Sequence, residues 1–175
     1  VKGPVAARRG PKSARLPPAE HFEIGYSIGF DHPLLRHQAL SLRVTPRSFT
    51  EQVAPARTFG FLREVEMLRK SGLALGGSLE NAVVVDDFSI RNPEGLRYPD
   101  EFVRHKVLDA IGDLALLGAP LIGRYVGFRS GHTLNTRLAA ELLSQTRAYE
   151  YREFRERREL EQFALDLPAL GLAPA

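Results

Sequence analysis

From Phe22 to Phe30 the chain is apolar at every second position: Phe22, Ile24, Tyr26, Ile28 and Phe30 alternate with Glu23, Gly25, Ser27 and Gly29. Successive side chains of a strand point to opposite faces, so this period of two predicts a strand with one buried face. Such a face needs a covering layer. Further along, the period changes. Val103, Val107, Ile111 and Leu114 recur at three and four, which predicts an amphipathic helix over residues 99–117. Pro99, Asp100 and Glu101 suit its N-terminus, and Gly118 followed by Pro120 closes it.

The rest of the pattern is mixed. Leu40, Leu42 and Val44 alternate again and predict a second strand, ended by Pro46. Ser48 with Glu51 three residues on resembles a capping box, so a short helix is expected to start there. Phe61, Val65 and Leu68 are spaced as on a helix, with Gly72 as its stop. Gly76-Gly77 turns the chain into a buried strand at 81–85, and Asn92-Pro93-Glu94-Gly95 is a turn. A strand over 121–129, a turn at Ser130-Gly131 and an amphipathic helix over 134–145 follow. Strands and helices without strict βαβ alternation predict an α+β sandwich of two layers, a sheet covered by helices. Residues 1–21, rich in Pro, Ala and basic side chains, read as a linker before a domain at 22–160. A short strand-like run begins at Tyr149, before the charged stretch 152–161. A frayed tail at 161–175 follows.

A length of 175 residues suits one domain with its own core. The absence of cysteine excludes disulfides and thiolate ligands, so any metal must use His, Asp or Glu. No apolar run approaches the ~20 residues of a membrane span, and no secretory h-region opens the chain. A cytoplasmic protein is the expectation. The chain starts at Val1 and its only methionine is Met67, so a further segment upstream is expected. Net charge is +3, with Lys2, Arg8, Arg9, Lys12 and Arg15 near the start. These read as a solvated terminus. No base-reading motif or aromatic platform accompanies them, so nucleic acid is not the expected partner.

The helix at 99–117 carries a second pattern. With His105 at zero and about 100° per residue, Asp109 falls at about 40°, Asp113 at about 80° and Lys106 at about 100°. The apolar stripe lies opposite. Taken alone, that polar face is what any surface helix shows. Two features add to it. His105 and Asp109 stand at i,i+4, a spacing that lets both reach one ion. A second histidine, His132, follows the turn Ser130-Gly131, where function often concentrates. A zinc ion on nitrogen and carboxylate ligands activates water near neutral pH. Amide hydrolysis then needs a base, positive charge near the oxyanion and an acid for the leaving amine. His132 suits the acid or the cationic stabiliser, Asp113 its orienting partner, and Lys106 a phosphate contact.

The run Arg104-His105-Lys106-Val107-Leu108-Asp109-Ala110-Ile111-Gly112-Asp113-Leu114 resembles the signature helix of the UDP-3-O-acyl-N-acetylglucosamine deacetylases, enzymes of lipid A synthesis. Ser130-Gly131-His132-Thr133-Leu134-Asn135 resembles their second motif. Ala56-Arg57-Thr58-Phe59-Gly60-Phe61 and the loop Leu73-Ala74-Leu75-Gly76-Gly77-Ser78 are further matches, and the likeness runs over residues 22–154. It implies zinc-dependent hydrolysis of the substrate acetamide, with His105 and Asp109 as two of three protein ligands. It makes His132, Asp113 and Thr58 catalytic: Asp113 pairs with His132, and Thr58 binds the reacting group. It places Lys106 in the substrate site, Phe59 against the glucosamine, Phe30 on the uracil and Arg129 near the diphosphate. It implies a βαβ insert at 61–85 forming the acyl-chain passage, lined by Val65, Ser78, Ala82 and Val84, for which core packing is the alternative. Gly29 departs from the aspartate common in relatives. The family has two similar domains, and this chain resembles only the second. The third ligand, a histidine, and the glutamate base belong to the first, so residues 1–175 alone are expected to hydrolyse little. Glu20-His21 imitates that pair outside its helical context and reads as coincidence. His32 falls in a turn and His37 on the surface. The competing reading is a non-catalytic module that binds a nucleotide sugar or acyl chain.

Overall fold

The computed structural model describes residues 1–72, 76–156 and 158–159. In chain order the elements are β1 (Val5–Arg9), β2 (Lys12–Leu16), β3 (Phe22–Ile28), β4 (Gln38–Arg43), α1 (Pro46–Gln52), β5 (Thr58–Phe61), α2 (Leu62–Lys70), β6 (Ala82–Val85), α3 (Glu101–Ala115), β7 (Gly123–Phe128) and α4 (His132–Ser144). The main sheet has the order β1-β2-β7-β3-β4. Only β3 and β7 run parallel within it, with Phe22 opposite Gly123 and Ser27 opposite Phe128. Helix α3 covers β3 and β4, and α4 covers β1 and β2. This is the expected two-layer α+β sandwich.

The alternation of β3 is realised: Ile24, Tyr26 and Ile28 are buried, facing Phe102, Val103, Val107, Ala110 and Leu114 of α3 in one core. Each large apolar side chain removed from water there contributes roughly 1.5–3 kcal/mol. Tyr125 stacks on Tyr26 with ring centroids 5.9 Å apart. Gly127 makes room for this. A β-carbon there would meet the Tyr125 ring at 2.8 Å and its hydroxyl at 2.7 Å. The phenol therefore lies along the strand toward its C-terminal end, where the candidate site is.

Residues 1–21, read from the sequence as a linker, are a correction. They form the hairpin β1–β2, and β2 pairs antiparallel with β7. Val5, Ala7, Ala14 and Leu16 alternate and are buried beneath α4. Two pairs of small or single apolar residues among prolines and arginines made too short a pattern to stand out. The capping box also moves. Thr45 caps α1 by accepting from the Ser48 amide, and the Ser48 hydroxyl accepts from the Thr45 amide. Glu51 instead pairs with Arg47 at 3.0 Å. Residues 149–156 form no strand.

Strands β5 and β6 are parallel, with Thr58 opposite Ala82 and Gly60 opposite Val84, and α2 links them. This βαβ unit starts at Thr58, three residues before the insert read from the sequence. Phe59, Phe61, Val83 and Val85 pack on the main core. The side chain of Leu68, the loop residues 73–75 and the tail at 161–175 lie outside the described residues. Among the described residues, no helix is long and apolar enough to cross a membrane.

Candidate active site

Parallel strands β3 and β7 end together, and the loops after them meet α3 and the start of α4 on that side. His105, Lys106, Asp109 and Asp113 project from α3 as the helical angles require. His105 Nε2 lies 3.3 Å from Asp109 Oδ1, and Lys106 Nζ donates to Asp109 Oδ2 at 2.8 Å. His105 Nδ1 faces the Ala56 carbonyl at 3.3 Å. A carbonyl only accepts, so Nδ1 carries the proton and Nε2 presents its lone pair toward Asp109. Burial pushes the His105 imidazole below its ordinary pKa, against the opposing pull of Asp109. A neutral imidazole nitrogen and a carboxylate oxygen thus converge with no proton between them, the donor set of a cation site.

Two ligands do not complete such a site. Among the described residues there is no group of three or more His, Cys, Asp or Glu side chains able to hold a metal ion. The donor chemistry of His105 and Asp109 fits zinc, but only as two ligands of a larger set.

His132 is the first residue of α4 and its side chain is 68% exposed. Its Nδ1 donates to Asp113, at 2.9 Å to Oδ1 and 3.1 Å to Oδ2. Its Nε2 lies 3.9 Å from Asp109 Oδ2, so the free edge of the ring is turned to the ligand pair. Behind Asp113 stands a network the sequence reading did not assign. Asn135, fully buried, donates from Nδ2 to Asp113 Oδ2 at 2.8 Å. Its Oδ1 accepts from Tyr125 and from Ser130, each at 2.6 Å. The one available signal was Asn135 at i+3 from His132. Arg129, just before this turn, has φ 50°, a left-handed conformation that costs a non-glycine residue free energy, and its amide donates to the Ser27 carbonyl at 2.8 Å.

The other predicted residues surround this centre. The Phe59 ring lies 6.4 Å from that of His105, 5.8 Å from Phe30 and 5.6 Å from Lys106 Nζ. Thr58 precedes it, exposed at the start of β5. Thr58, Gly60, Ala82 and Val84 share the face of the small sheet opposite its core-packed side. Val65 of α2 covers that face: a β-carbon on Gly60 would stand 3.2 Å from Val65 Cγ2. Ala82 and Val84 are half-buried on that face, which ends at Thr58. Ser78 and Arg129 are exposed, and Arg129 directly precedes Ser130 of the Asn135 network. Gly29 is tightly placed, since a β-carbon would lie 3.1 Å from the Arg36 carbonyl. His21 sits at the opposite end of β3, where its Nδ1 accepts from Arg43 at 3.1 Å. His32 is a structural residue, bonded to the Asp86 carbonyl and the Leu34 amide.

A model of the UDP-3-O-acyl N-acetylglycosamine deacetylase family matches residues 1–144. The chain belongs to this family, and the match includes the β1–β2 hairpin. Curated relatives agree. A UDP-3-O-acyl-N-acetylglucosamine deacetylase of Myxococcus xanthus is 49% identical over 171 residues, 98% of this chain and 54% of the relative. One from Thioalkalivibrio sulfidiphilus is 51% identical over 91% of the chain and 53% of the relative. One from Alcanivorax borkumensis is 50% identical over 99% and 56%. The chain spans about half the length of the curated relatives it matches.

Proposed function

We propose that the chain supplies one half of the active site of a zinc-dependent deacetylase that hydrolyses the acetamide of UDP-3-O-acyl-N-acetylglucosamine to the free amine and acetate. The observation that carries this reading is the convergence of His105 Nε2, Asp109 and His132 Nε2 on one side of α3. His105 and Asp109 would hold the zinc, which when bound acts as a Lewis acid on water and the amide carbonyl. The third ligand and the general base come from outside residues 1–175, in the half that the relatives carry in addition.

The chain's own groups divide the remaining work. Asp113 holds the Nδ1 proton of His132, which leaves Nε2 as the working nitrogen. As an imidazolium, His132 stabilises the charge that develops on the carbonyl oxygen. It then gives its Nε2 proton to the departing amine as the C–N bond breaks. Thr58 binds the reacting group, and Phe59 packs on the sugar. Lys106 and Arg129 bind phosphate as point charge and fork, and Phe30 stacks on the base. The acyl chain is assigned to the α2-facing side of β5–β6, with Val65, Ala82 and Val84 as its lining and Ser78 at its rim. A cytoplasmic location fits this reading.

The test joins this chain to the additional half found in its relatives and measures acetate release. Turnover with one bound zinc is expected, and residues 1–175 alone should hydrolyse little. Stoichiometric zinc retained after His105→Ala would refute the ligand assignment. Sugar binding without acetate release by the joined protein would favour a non-catalytic module.

A further inference from the structure

Glu101 is fully buried in the first turn of α3, yet it keeps its charge. Burial alone raises its pKa, and hydrogen bonds from Arg57 and Arg97 outweigh that and lower it. It accepts four bonds: the Arg57 amide at 2.9 Å, Arg57 Nε at 2.9 Å, Arg57 Nη2 at 3.1 Å and the Arg97 amide at 2.6 Å. Arg57 is equally enclosed, its side chain 3% exposed, and its remaining donors meet Glu94 and the Gly95 carbonyl. A buried pair of this kind adds little net stability over an apolar pair of similar volume. Its position gives it another use.

The Arg57 amide and the Ala56 carbonyl belong to one peptide unit, which is planar and rigid. Glu101 holds its N–H edge. His105, one turn further along the same helix, donates from Nδ1 to its C=O edge. One peptide plane is thus clamped between residues i and i+4 of α3. Rotating that plane would release both contacts. Without the carbonyl, Asp109 Oδ1, 3.3 Å from Nε2, would draw the proton to the nitrogen meant for the metal.

We propose that Arg57 and Glu101 are positioning residues for His105, holding the Ala56–Arg57 peptide so that His105 keeps its proton on Nδ1 and offers Nε2 to the metal. This rests on the reading of His105 as a ligand. It predicts a property of the metal-free chain as well.

The experiment is nitrogen NMR of the His105 side chain in metal-free residues 1–175, above the imidazole titration range. The wild-type chain is expected to show the Nδ1–H form. Arg57→Lys keeps the charge but loses the fork, and Glu101→Gln keeps the shape but loses the double acceptor. Each should move His105 toward Nε2–H or to an averaged signal. Tyr98→Phe is the control, since it removes a bond from Tyr98 to the Glu51 carbonyl in the same region without touching the clamped peptide. It should lower melting temperature and leave the tautomer unchanged. An Nε2–H form in the wild type would overturn the proposal even if the variants fail to fold. So would a folded Arg57→Lys chain with the wild-type tautomer. In the joined protein, Arg57→Lys should weaken zinc on the order of 10- to 100-fold, read by chelator competition. If the tautomer shifts in Arg57→Lys while His105→Ala leaves zinc affinity intact, the clamp stands and the ligand reading falls.

Discussion

The two histidines of the candidate site are built differently. His132 is exposed, but every group behind it has its partner within the chain: Asp113, then Asn135, then Tyr125 and Ser130. His105 is half-buried and held by one carbonyl, and its outward nitrogen faces a carboxylate. The first arrangement is self-sufficient for holding and moving a proton. On the proposed reading the second needs an ion and further ligands from elsewhere. This chain would then carry the acid and share the metal and the base with the additional half found in its relatives.

The contrast breaks most readily at the histidines themselves. In the joined protein, His132→Ala should lower turnover about 10²- to 10⁴-fold with zinc content unchanged. His105→Ala should remove zinc. Equal loss of zinc in both variants, measured by metal analysis after gel filtration, would show that the two halves are one unit.

Asn135→Ala comes next. It leaves Asp113 without a buried donor and Tyr125 without its acceptor, so chemical denaturation should show a loss of about 1–3 kcal/mol. Turnover should fall less than in His132→Ala, and zinc affinity should hold. Ser130→Ala removes only one of the two donors to Asn135 Oδ1 and should have the smaller effect. A metal loss in Asn135→Ala would mean that the network also supports the ligand pair.

What could be read in the sequence follows the same division. Helical periodicity placed His105, Lys106, Asp109 and Asp113 on one face of α3, because four side chains on one helix need no tertiary knowledge. The strand alternation of β3 was legible for the same reason. The β1–β2 hairpin was not, since its buried residues are few and two of the four are alanines. Arg57 and Glu101 were hidden more deeply. Arg57 stands inside a motif shared with the family and Glu101 suits a helix N-terminus, but neither pattern pairs them, and only the fold brings them together, 44 residues apart. Asn135 lay inside a quoted motif, but its role depends on Gly127 letting the Tyr125 ring lie along the strand.

A smaller effect is expected where α2 packs on β5–β6, which serves neither histidine. Val65→Phe adds bulk where Val65 already lies close over Gly60 and should lower turnover of a long-acyl substrate roughly 10-fold or more, with a short-acyl substrate less affected. Zinc content should stay near wild type. Equal effects on both substrates would argue that Val65 is core packing alone.

The smallest predicted effect tests the burial of His105. Its folded pKa is lowered, mainly by desolvation, so in the metal-free chain the unfolded state takes up this proton first as pH falls. Stability is fully retained above the ordinary imidazole value of about 6.5 and is lost as pH drops through it toward the lowered folded value. His105→Asn removes that titration, and its amide can still donate to the Ala56 carbonyl. Melting temperatures from pH 8 to 5 should therefore fall more steeply for wild type than for the variant. The paired carboxylate Glu101 and the exposed Glu94, both lowered, act in a more acidic window and do not confuse the comparison. In the joined protein, bound zinc keeps the imidazole unprotonated, so saturating metal should flatten the wild-type slope. Parallel slopes for wild type and His105→Asn would mean that the buried nitrogen is already reached by solvent, and the difference between the two histidines would then lie in their partners and not in their burial.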